Sequence, residues 1–342
     1  EMNQILFGPP GTGKTYHTID EALKIIDPDF YDNHSGNRKK LHDRFGELLI
    51  TNWDAPVGNI AFCTFHQSFS YEDFVEGIKP QTTEAKDIIY NVEPGIFKRI
   101  CQLSVEKKPS QDGTPQKEDN PNKYVLILDE INRGNVASIF GELITLIEKD
   151  KRAGGNEELE ITLPYSKETF KVPNNVYLLG TMNTADRSIE ALDTALRRRF
   201  SFKEMPSRPE IIAEAGNSID GIVEGIDLPQ LLTAINQRVE KLIDKDHMIG
   251  HSYFLNVSSL ADLKLVFFNK VIPLLQEYFF GDYGKIGLVL GESFVTLKNN
   301  DNKFANFRHY DQDILTDLEE RKVFEITNLE NWEAIDFIRI YQ

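Results

Sequence analysis

The clearest chemical signal in this sequence is a run of eight residues near its start: Gly8-Pro9-Pro10-Gly11-Thr12-Gly13-Lys14-Thr15. The run fits the pattern of a phosphate-binding loop without deviation. Its glycines let successive backbone N–H groups turn towards phosphate oxygens. Lys14 would place its charge on the β- and γ-phosphates, and the Thr15 hydroxyl would bind Mg²⁺. The run therefore predicts a site for a magnesium-bound nucleoside triphosphate.

An acidic motif, Asp129-Glu130, follows a fully apolar run at residues 124–128. An aspartate at the end of a buried strand can bind Mg²⁺ through the water shell of the metal, and the adjoining glutamate can deprotonate an attacking water. In isolation such a pair is also typical of an acidic helix cap, but the phosphate-binding loop earlier in the chain argues against that. Because the pair favours water as the phosphate acceptor, we expect a hydrolase.

A third motif, residues 180–187, follows another apolar run at 176–180. Asn183, at the tip of this predicted strand, would lie beside the γ-phosphate and hold the attacking water opposite Glu130. By itself the segment is more typical of an Asn-Thr turn followed by a helix that Asp186 caps. The assignment of Asn183 therefore depends on the first two motifs.

Three successive arginines, Arg197, Arg198 and Arg199, precede a predicted strand that begins at Phe200. Such a run is more often a solvated cluster than a site. The order of these motifs resembles that of ring-forming AAA+ motors, however, and in those motors this corner faces the nucleotide of the neighbouring subunit. An arginine that reaches across stabilises the transition-state charge and can be worth about 10³ in rate. We assign this role to Arg198 and Arg199, and a structural role to Arg197.

Longer stretches of the chain resemble the McrB family, the motor subunits of modification-dependent restriction systems. The similarity covers residues from about 3 to 282. Its specific motifs are Met182-Asn183-Thr184-Ala185-Asp186-Arg187-Ser188 and Ile249-Gly250-His251-Ser252-Tyr253-Phe254. The stretches 65–74, 129–133, 195–200 and 273–280 are also similar.

This resemblance implies several properties that the spacing of residues does not. McrB proteins prefer GTP, form hexameric rings and work with a partner, McrC, which stimulates hydrolysis and carries the nuclease. An N-terminal domain, absent here, reads modified DNA in that family. Carried over by position, the hydrolytic residues are Lys14, Thr15, Asp129, Glu130 and Asn183, supported by Asp186 and Arg187, with Arg198 and Arg199 acting across the subunit interface.

The nucleotide and the biological role stay open at this stage. The sequence has no Asn-Lys-x-Asp run of the kind with which Ras-type GTPases read guanine, so a preference for GTP over ATP follows only from the resemblance. One alternative is an ATP-hydrolysing, MoxR-like AAA+ protein that remodels other proteins. Another is a nucleotide-gated scaffold that binds but scarcely hydrolyses, against which the intact Glu130 and Asn183 argue.

Apolar runs alternate with helical patterns along the part of the chain that contains these motifs. This order predicts an α/β fold with a parallel, doubly wound sheet at residues 1–205. A helical lid is expected at 206–290, and a C-terminal extension of uncertain structure at 291–342. Within the first part we expect hairpins at 74–92 and 159–172 and one helix at 136–148. Polar insertions at 27–59 and 108–122 fall outside the McrB pattern.

The composition of the chain limits which kinds of partner it can have. The chain has 54 acidic and 38 basic residues and a net charge of −16, which disfavours indiscriminate binding to nucleic acid. DNA would then be contacted through the missing N-terminal domain or a central pore. Cys63 and Cys101 have no metal-ligand spacing and suggest a reducing, cytoplasmic location. No stretch approaches the ~20 apolar residues that span a bilayer, so no membrane partner is expected. Since nothing resembles a nuclease metal site, we expect no DNA cleavage by this chain.

Overall fold

The computed structural model describes residues 1–82, 88–106, 122–186, 194–298, 304–305 and 311–342. The chain forms two compact units. The first comprises Glu1–Gly8 and Gly13–Met205, and the second comprises Pro9–Thr12 and Pro206–Gln342. Within the described ranges, no helix combines the length and the apolar character that a bilayer crossing requires.

A five-stranded parallel sheet forms the centre of the first unit. In spatial order its strands are Ile60–Thr64, Tyr124–Asp129, Val176–Asn183, Asn3–Gly8 and Ser201–Glu204. Because the strands all run in the same direction, their carboxyl ends meet at one edge of the sheet. This arrangement confirms the predicted parallel α/β fold, and it is the edge at which ligands bind in such sheets.

Alternate residues of the central strands pack into two apolar layers, one on each face of the sheet. Leu126 and Leu128 lie in one buried cluster, whereas Val125 and Ile127 lie in the other. Successive side chains of a strand point to opposite faces, so a strand that is covered on both faces must be apolar throughout. The first polar residue after this run, Asp129, is therefore placed at the carboxyl edge of the sheet.

The remaining elements of the first unit cover the sheet or project from it. Its α-helices are Lys14–Ile26, Pro28–His34, Arg38–Leu48, Tyr71–Phe74, Ile96–Val105, Val136–Phe140, Leu143–Leu146 and Thr194–Arg197, with a 3₁₀ turn at Ile131–Arg133. Two antiparallel hairpins pair Glu76–Thr82 with Ile88–Pro94, and Ile161–Thr162 with Thr169–Phe170. Both predicted hairpins are thus confirmed. The insertion at 27–59 contains two of the helices, whereas residues 108–121 of the other insertion lie outside the described residues.

The single helix predicted at residues 136–148 is wrong. The chain forms two short helices instead, separated at Gly141, which has φ 51°. This backbone conformation is left-handed and cannot continue an α-helix. The apolar spacing on both sides of Gly141 is still helical in period, which is why the sequence pattern did not reveal the break.

A buried arginine holds the amino ends of two central strands together. The Arg152 guanidinium donates to the Asn3 side-chain oxygen at 2.6 Å and to the carbonyl of Val176. It also donates to the carbonyls of Ile147 and Pro173. Burial lowers the pKa of Arg152 to about 10, so the charge is retained at neutral pH. The two strands that Arg152 joins are those that end at the phosphate-binding loop and at Asn183.

The second unit is mainly helical, as expected for a lid. Its α-helices are Glu210–Ala215, Leu228–Leu242, Leu260–Val266, Ile272–Tyr278, Tyr283–Leu290, Gln312–Glu319 and Ala334–Ile338. A π-helical turn, Phe267–Val271, joins two of them, and 3₁₀ turns occur at Lys245–His247, His251–Tyr253 and Leu329–Asn331. Two small antiparallel pairs complete it: Ile222–Val223 with Ile226–Asp227, and Val295–Leu297 with Phe324–Ile326.

Residues beyond position 290 share a core with the lid helices. The rings of Phe294 and Phe337 lie 5.1 Å apart, and each also packs against Phe267. Trp332 lies 5.0 Å from Phe294 and donates through its indole N–H to the Thr327 hydroxyl at 2.7 Å. Aromatic contacts of this kind dominate the energetics of a small core. The described C-terminal residues are therefore packed onto the lid.

Candidate functional site

The phosphate-binding loop joins the strand Asn3–Gly8 to the helix Lys14–Ile26. Gly11 and Gly13 have φ of 77° and 80°, the left-handed region in which a side chain is strained. The helix has no acidic residue in its first turn, so its N-terminal dipole is available to an anion. Strand, loop and helix thus follow one another in the order that phosphate binding requires.

Lys14 is buried at the start of this helix, and its Nζ donates to the Gly8 carbonyl at 2.9 Å. Burial lowers the pKa of Lys14 to about 8, although the nearby carboxylates of Glu130, Asp186 and Asp129 oppose that shift. A bound triphosphate adds negative charge and stabilises the protonated amine further. The charge of Lys14 in the free protein is therefore sensitive to pH just above neutrality.

Nucleotide affinity is accordingly expected to fall as pH rises through about 8. Only the protonated Lys14 attracts phosphate, so above its free-state pKa binding must also take up a proton. Calorimetric titration with magnesium and GTPγS on both sides of that pH measures the effect. Lys14→Arg is the control: its guanidinium stays charged, so its affinity, although weaker, should not show this decline. The same decline in both proteins would exclude Lys14 as its source.

The two predicted magnesium ligands lie side by side. The Thr15 hydroxyl donates to Asp129 Oδ1 at 2.9 Å, and the Thr181 hydroxyl donates to the same oxygen at 2.7 Å. A hydroxyl and a carboxylate beside a phosphate loop fit Mg²⁺, which keeps several waters and takes its other ligands from the nucleotide. Among the described residues, no group of three or more His, Cys, Asp or Glu side chains is placed to hold a metal ion.

Thr181 is a site residue that the sequence motifs did not single out. The parallel register pairs Leu128 with Gly180, which places Thr181 beside Asp129 at the edge of the sheet. Its hydroxyl also accepts a bond from the backbone N–H of Glu130 at 3.0 Å. A buried threonine directly after an apolar strand is the signal that could have identified it. Thr181 therefore orients both members of the acidic motif.

Glu130 lies at the centre of a polar network. Its Oε1 accepts from the Asn183 amide at 2.6 Å, and its Oε2 accepts from Arg133 Nε at 3.2 Å. The backbone at Glu130 has φ 54°, a conformation that costs energy for a residue with a side chain and that is often found at functional sites. Burial raises the pKa of the Glu130 carboxyl, while Arg133 partly offsets the rise. The network thus holds a basic carboxylate in a fixed orientation.

Arg133 is a second residue that the motifs did not assign. It lies three positions after Glu130 in the 3₁₀ turn Ile131–Arg133, and it also pairs with Asp186 at 3.3 Å. The acidic residue of the 180–187 motif is therefore connected to Glu130 through one guanidinium. Arg187, the next residue of that motif, lies outside the described residues.

The three arginines differ in their surroundings. Arg199 pairs with Glu148 at 2.7 Å, and its side chain is 6% exposed. Arg198 is exposed, and Arg197 is exposed with its guanidinium 5.7 Å from the centre of the Phe202 ring. An arginine that acts on a neighbouring subunit must be accessible at the surface. Arg198 meets that requirement, whereas Arg199 would first have to leave Glu148.

Comparison with known proteins supports this organisation. The family model described as "AAA domain (dynein-related subfamily)" matches residues 57–200, and the model described as "McrB, alpha-helical lid domain" matches residues 227–287. The two matches fall on the two compact units. They confirm the predicted AAA fold with a parallel sheet followed by a helical lid.

The chain is 36% identical over 299 residues to the type IV methyl-directed restriction enzyme EcoKMcrB subunit of Escherichia coli, covering 82% of this chain and 55% of that protein. It is 25% identical over 313 residues to the type II restriction enzyme BsuMI component YdiS of Bacillus subtilis, covering 86% and 84%. A solved structure of a suspected ATPase from Cytophaga hutchinsonii is 12% identical to this chain. The alignment covers 86% of this chain and 64% of that one, with a TM-score of 0.31.

The chain thus spans about half of the length of the E. coli relative, and its residues 227–287 match the McrB lid model. The carboxyl edge of the sheet brings together Thr15, Asp129, Glu130 and Asn183. Fold, matched lid and sequence identity all indicate one assignment: the chain belongs to the McrB family of AAA proteins.

Proposed function

We propose that this chain hydrolyses a nucleoside triphosphate, GTP in preference to ATP, as the motor subunit of a restriction complex directed at modified DNA. The observation that carries the proposed hydrolysis is the bond of 2.6 Å between Glu130 and Asn183, next to the paired Thr15 and Asp129. In this proposal Glu130 is the base and the Asn183 amide holds the attacking water. Thr15 and Asp129 are the ligands of the magnesium ion that accompanies the phosphates.

Hydrolysis then proceeds with defined roles for the chain's own residues. Lys14 and the loop backbone bind the β- and γ-phosphates, and Thr15 and Asp129 would hold the magnesium. When bound, that metal neutralises the phosphate oxygens. Asn183 orients a water in line with the γ-phosphate, and Glu130 takes its proton as the O–P bond forms and the bond to the leaving diphosphate breaks. Arg198 or Arg199 of an adjacent copy spreads the charge of the transition state.

The wider role is supported by relatives rather than by the site. Both restriction enzymes that the chain resembles contain the matched protein as a subunit or component. We therefore propose a ring, hexameric as in the McrB family, that works with a McrC-like partner carrying the nuclease. DNA would be read by a domain outside this sequence or within the pore of the ring.

Parallel turnover measurements with GTP and ATP test the proposal. We expect phosphate release from GTP to exceed that from ATP, to be weak alone, to rise when a McrC-like partner is added, and to cease when a chelator removes magnesium. Measuring the molecular mass of the purified chain with and without nucleotide tests whether a ring assembles. Clear preference for ATP would instead favour a protein-remodelling AAA+ motor, and nucleotide binding without product, even beside the partner, would favour a scaffold.

A further inference from the structure

Residues 249–253 of the lid contact the phosphate-binding loop through their backbone. The Gly250 N–H donates to the Pro10 carbonyl at 2.9 Å, and the Ser252 N–H donates to the Gly11 carbonyl at 3.0 Å. Pro9–Thr12 and Pro206–Gln342 form one compact unit, so both bonds lie within a single packed body. These lid residues hold the middle of the loop but take no part in the proposed hydrolysis steps.

The two bonds set the direction of the N–H groups that follow. In a planar trans peptide, the carbonyl of one residue and the N–H of the next point in opposite directions. Holding the Pro10 carbonyl towards Gly250 therefore turns the Gly11 N–H away from the lid segment. Holding the Gly11 carbonyl towards Ser252 does the same for the Thr12 N–H. Because the two prolines before Gly11 have no N–H, these are the first donors after Gly8 that the loop can offer a phosphate.

The contact is too close for any side chain to stand between the two backbones. A Cβ added to Gly250 would lie 1.9 Å from the carbonyl carbon of Gly11. Gly250 has φ −75°, which any residue can adopt, so only the lack of space requires glycine there. A Cβ added to Gly11 would lie 2.5 Å from Cε2 of the Tyr253 ring. The lid segment and the loop are thus fitted to each other at two glycines.

The lid segment is itself held from behind. The side chain of Asn236, buried on the helix Leu228–Leu242, accepts from the Ile249 N–H at 2.7 Å and donates to the Ile249 carbonyl at 2.9 Å. The Ser207 hydroxyl donates to the same carbonyl at 2.7 Å. The ring of His251, also buried, accepts from the Arg208 N–H at 3.2 Å. The position of the segment is therefore set by the core of the lid.

From these contacts we propose that Gly250 and Tyr253 are positioning residues of the nucleotide site. They hold the backbone of the loop so that the Gly11 and Thr12 N–H groups are directed at a phosphate before the nucleotide arrives. The inference rests on the proposed binding of a nucleoside triphosphate and concerns the loop residues Pro9–Thr12, which belong to the same compact unit as the lid. It also makes phosphate affinity depend on how the lid core is packed.

Gly250→Ala is expected to weaken binding of magnesium and GTPγS by about tenfold or more. The added methyl group separates the two backbones, so the Gly11 and Thr12 N–H groups are no longer held towards the phosphate. Tyr253→Ala, which removes atoms and creates no clash, should weaken binding in the same direction. Tyr253→Phe should bind more tightly than Tyr253→Ala, since the ring carbons that face Gly11 remain. Calorimetric titration gives each Kd, and thermal unfolding without nucleotide reports whether each variant is folded.

Gly46→Ala is the matched control, because Gly46 lies in the helix Arg38–Leu48 and an added Cβ there meets nothing within 4 Å. It should bind as the wild type does. Folded Gly250→Ala and Tyr253→Ala proteins that bind as tightly as the control would overturn the inference, as would a lowered Tm with an unchanged Kd. Failure of the wild type to bind either GTPγS or ATPγS would overturn the proposed function itself and this inference with it.

Discussion

Replacing Glu130 by glutamine is expected to lower the rate of phosphate release by about 10²–10⁴-fold while nucleotide binding and nucleotide-dependent assembly persist. The amide has nearly the same shape as the carboxylate but cannot accept the proton of the attacking water. Lys14, Thr15 and Asp129 are unaltered by the change, so the phosphates keep their contacts. Turnover at saturating GTP measures phosphate release, and the Kd for GTPγS measures nucleotide binding. The molecular mass of the protein in the presence of nucleotide measures assembly.

Glu47→Gln supplies the control for this substitution. Glu47 pairs with Arg44 on an exposed helix and its side chain is 65% exposed, so the same chemical change there should leave turnover unaltered. The pH dependence offers a second check. Burial raises the pKa of Glu130, so the acid limb of the wild-type rate profile should lie above the range of an ordinary carboxyl, and Glu130→Gln should lack that limb. A Glu130→Gln protein with more than about a tenth of the wild-type rate would show that another group acts as the base.

Arg198→Ala is expected to lower turnover by about 10³-fold, because the guanidinium stabilises charge on the phosphoryl group of a neighbouring subunit. Arg199→Ala should cost less catalysis directly, since Arg199 pairs with Glu148 and is nearly buried, but it should destabilise the fold. Arg197→Ala is the matched control: it removes an exposed arginine of the same cluster and should keep most of the turnover. Phosphate release and thermal unfolding of the three variants distinguish catalytic from structural losses.

Mixing two inactive proteins tests whether the arginine acts between subunits. In an equimolar ring of Glu130→Gln and Arg198→Ala subunits, about a quarter of the sites combine an intact Glu130 with an intact neighbouring Arg198, so turnover should reappear. A mixture of wild type with Glu130→Gln establishes that subunits exchange. If exchange occurs but the two inactive variants stay inactive together, Arg198 does not act across the interface.

The phosphate loop and the central strands could be predicted because their signals are local. A glycine-rich run between an apolar strand and a helix specifies its own backbone path, and a fully apolar run such as 124–128 must be buried on both faces of a sheet. Because Asp129, Glu130 and Asn183 each follow an apolar run, the sequence also predicts that they lie at one edge of the sheet. The break at Gly141 was missed, because helical spacing continues on both sides of it.

The convergence of side chains at the site required the tertiary structure. Thr181 reaches Asp129 only through the register between two strands that lie far apart in sequence. Arg199 is nearly buried and paired with Glu148, whereas the adjacent Arg198 is exposed, although the two residues are of the same type.

Local sequence patterns were sufficient to predict the parallel fold, the phosphate loop, the acidic motif and the family resemblance, because each depends on neighbouring residues or on strand ends. Which polar groups bond to one another followed only from the folded structure, in which Arg133 pairs with Asp186 and the Gly250 N–H donates to the Pro10 carbonyl of the loop. Such contacts join residues that are distant in sequence. Their geometry is set by packing of the whole core, which no local pattern specifies.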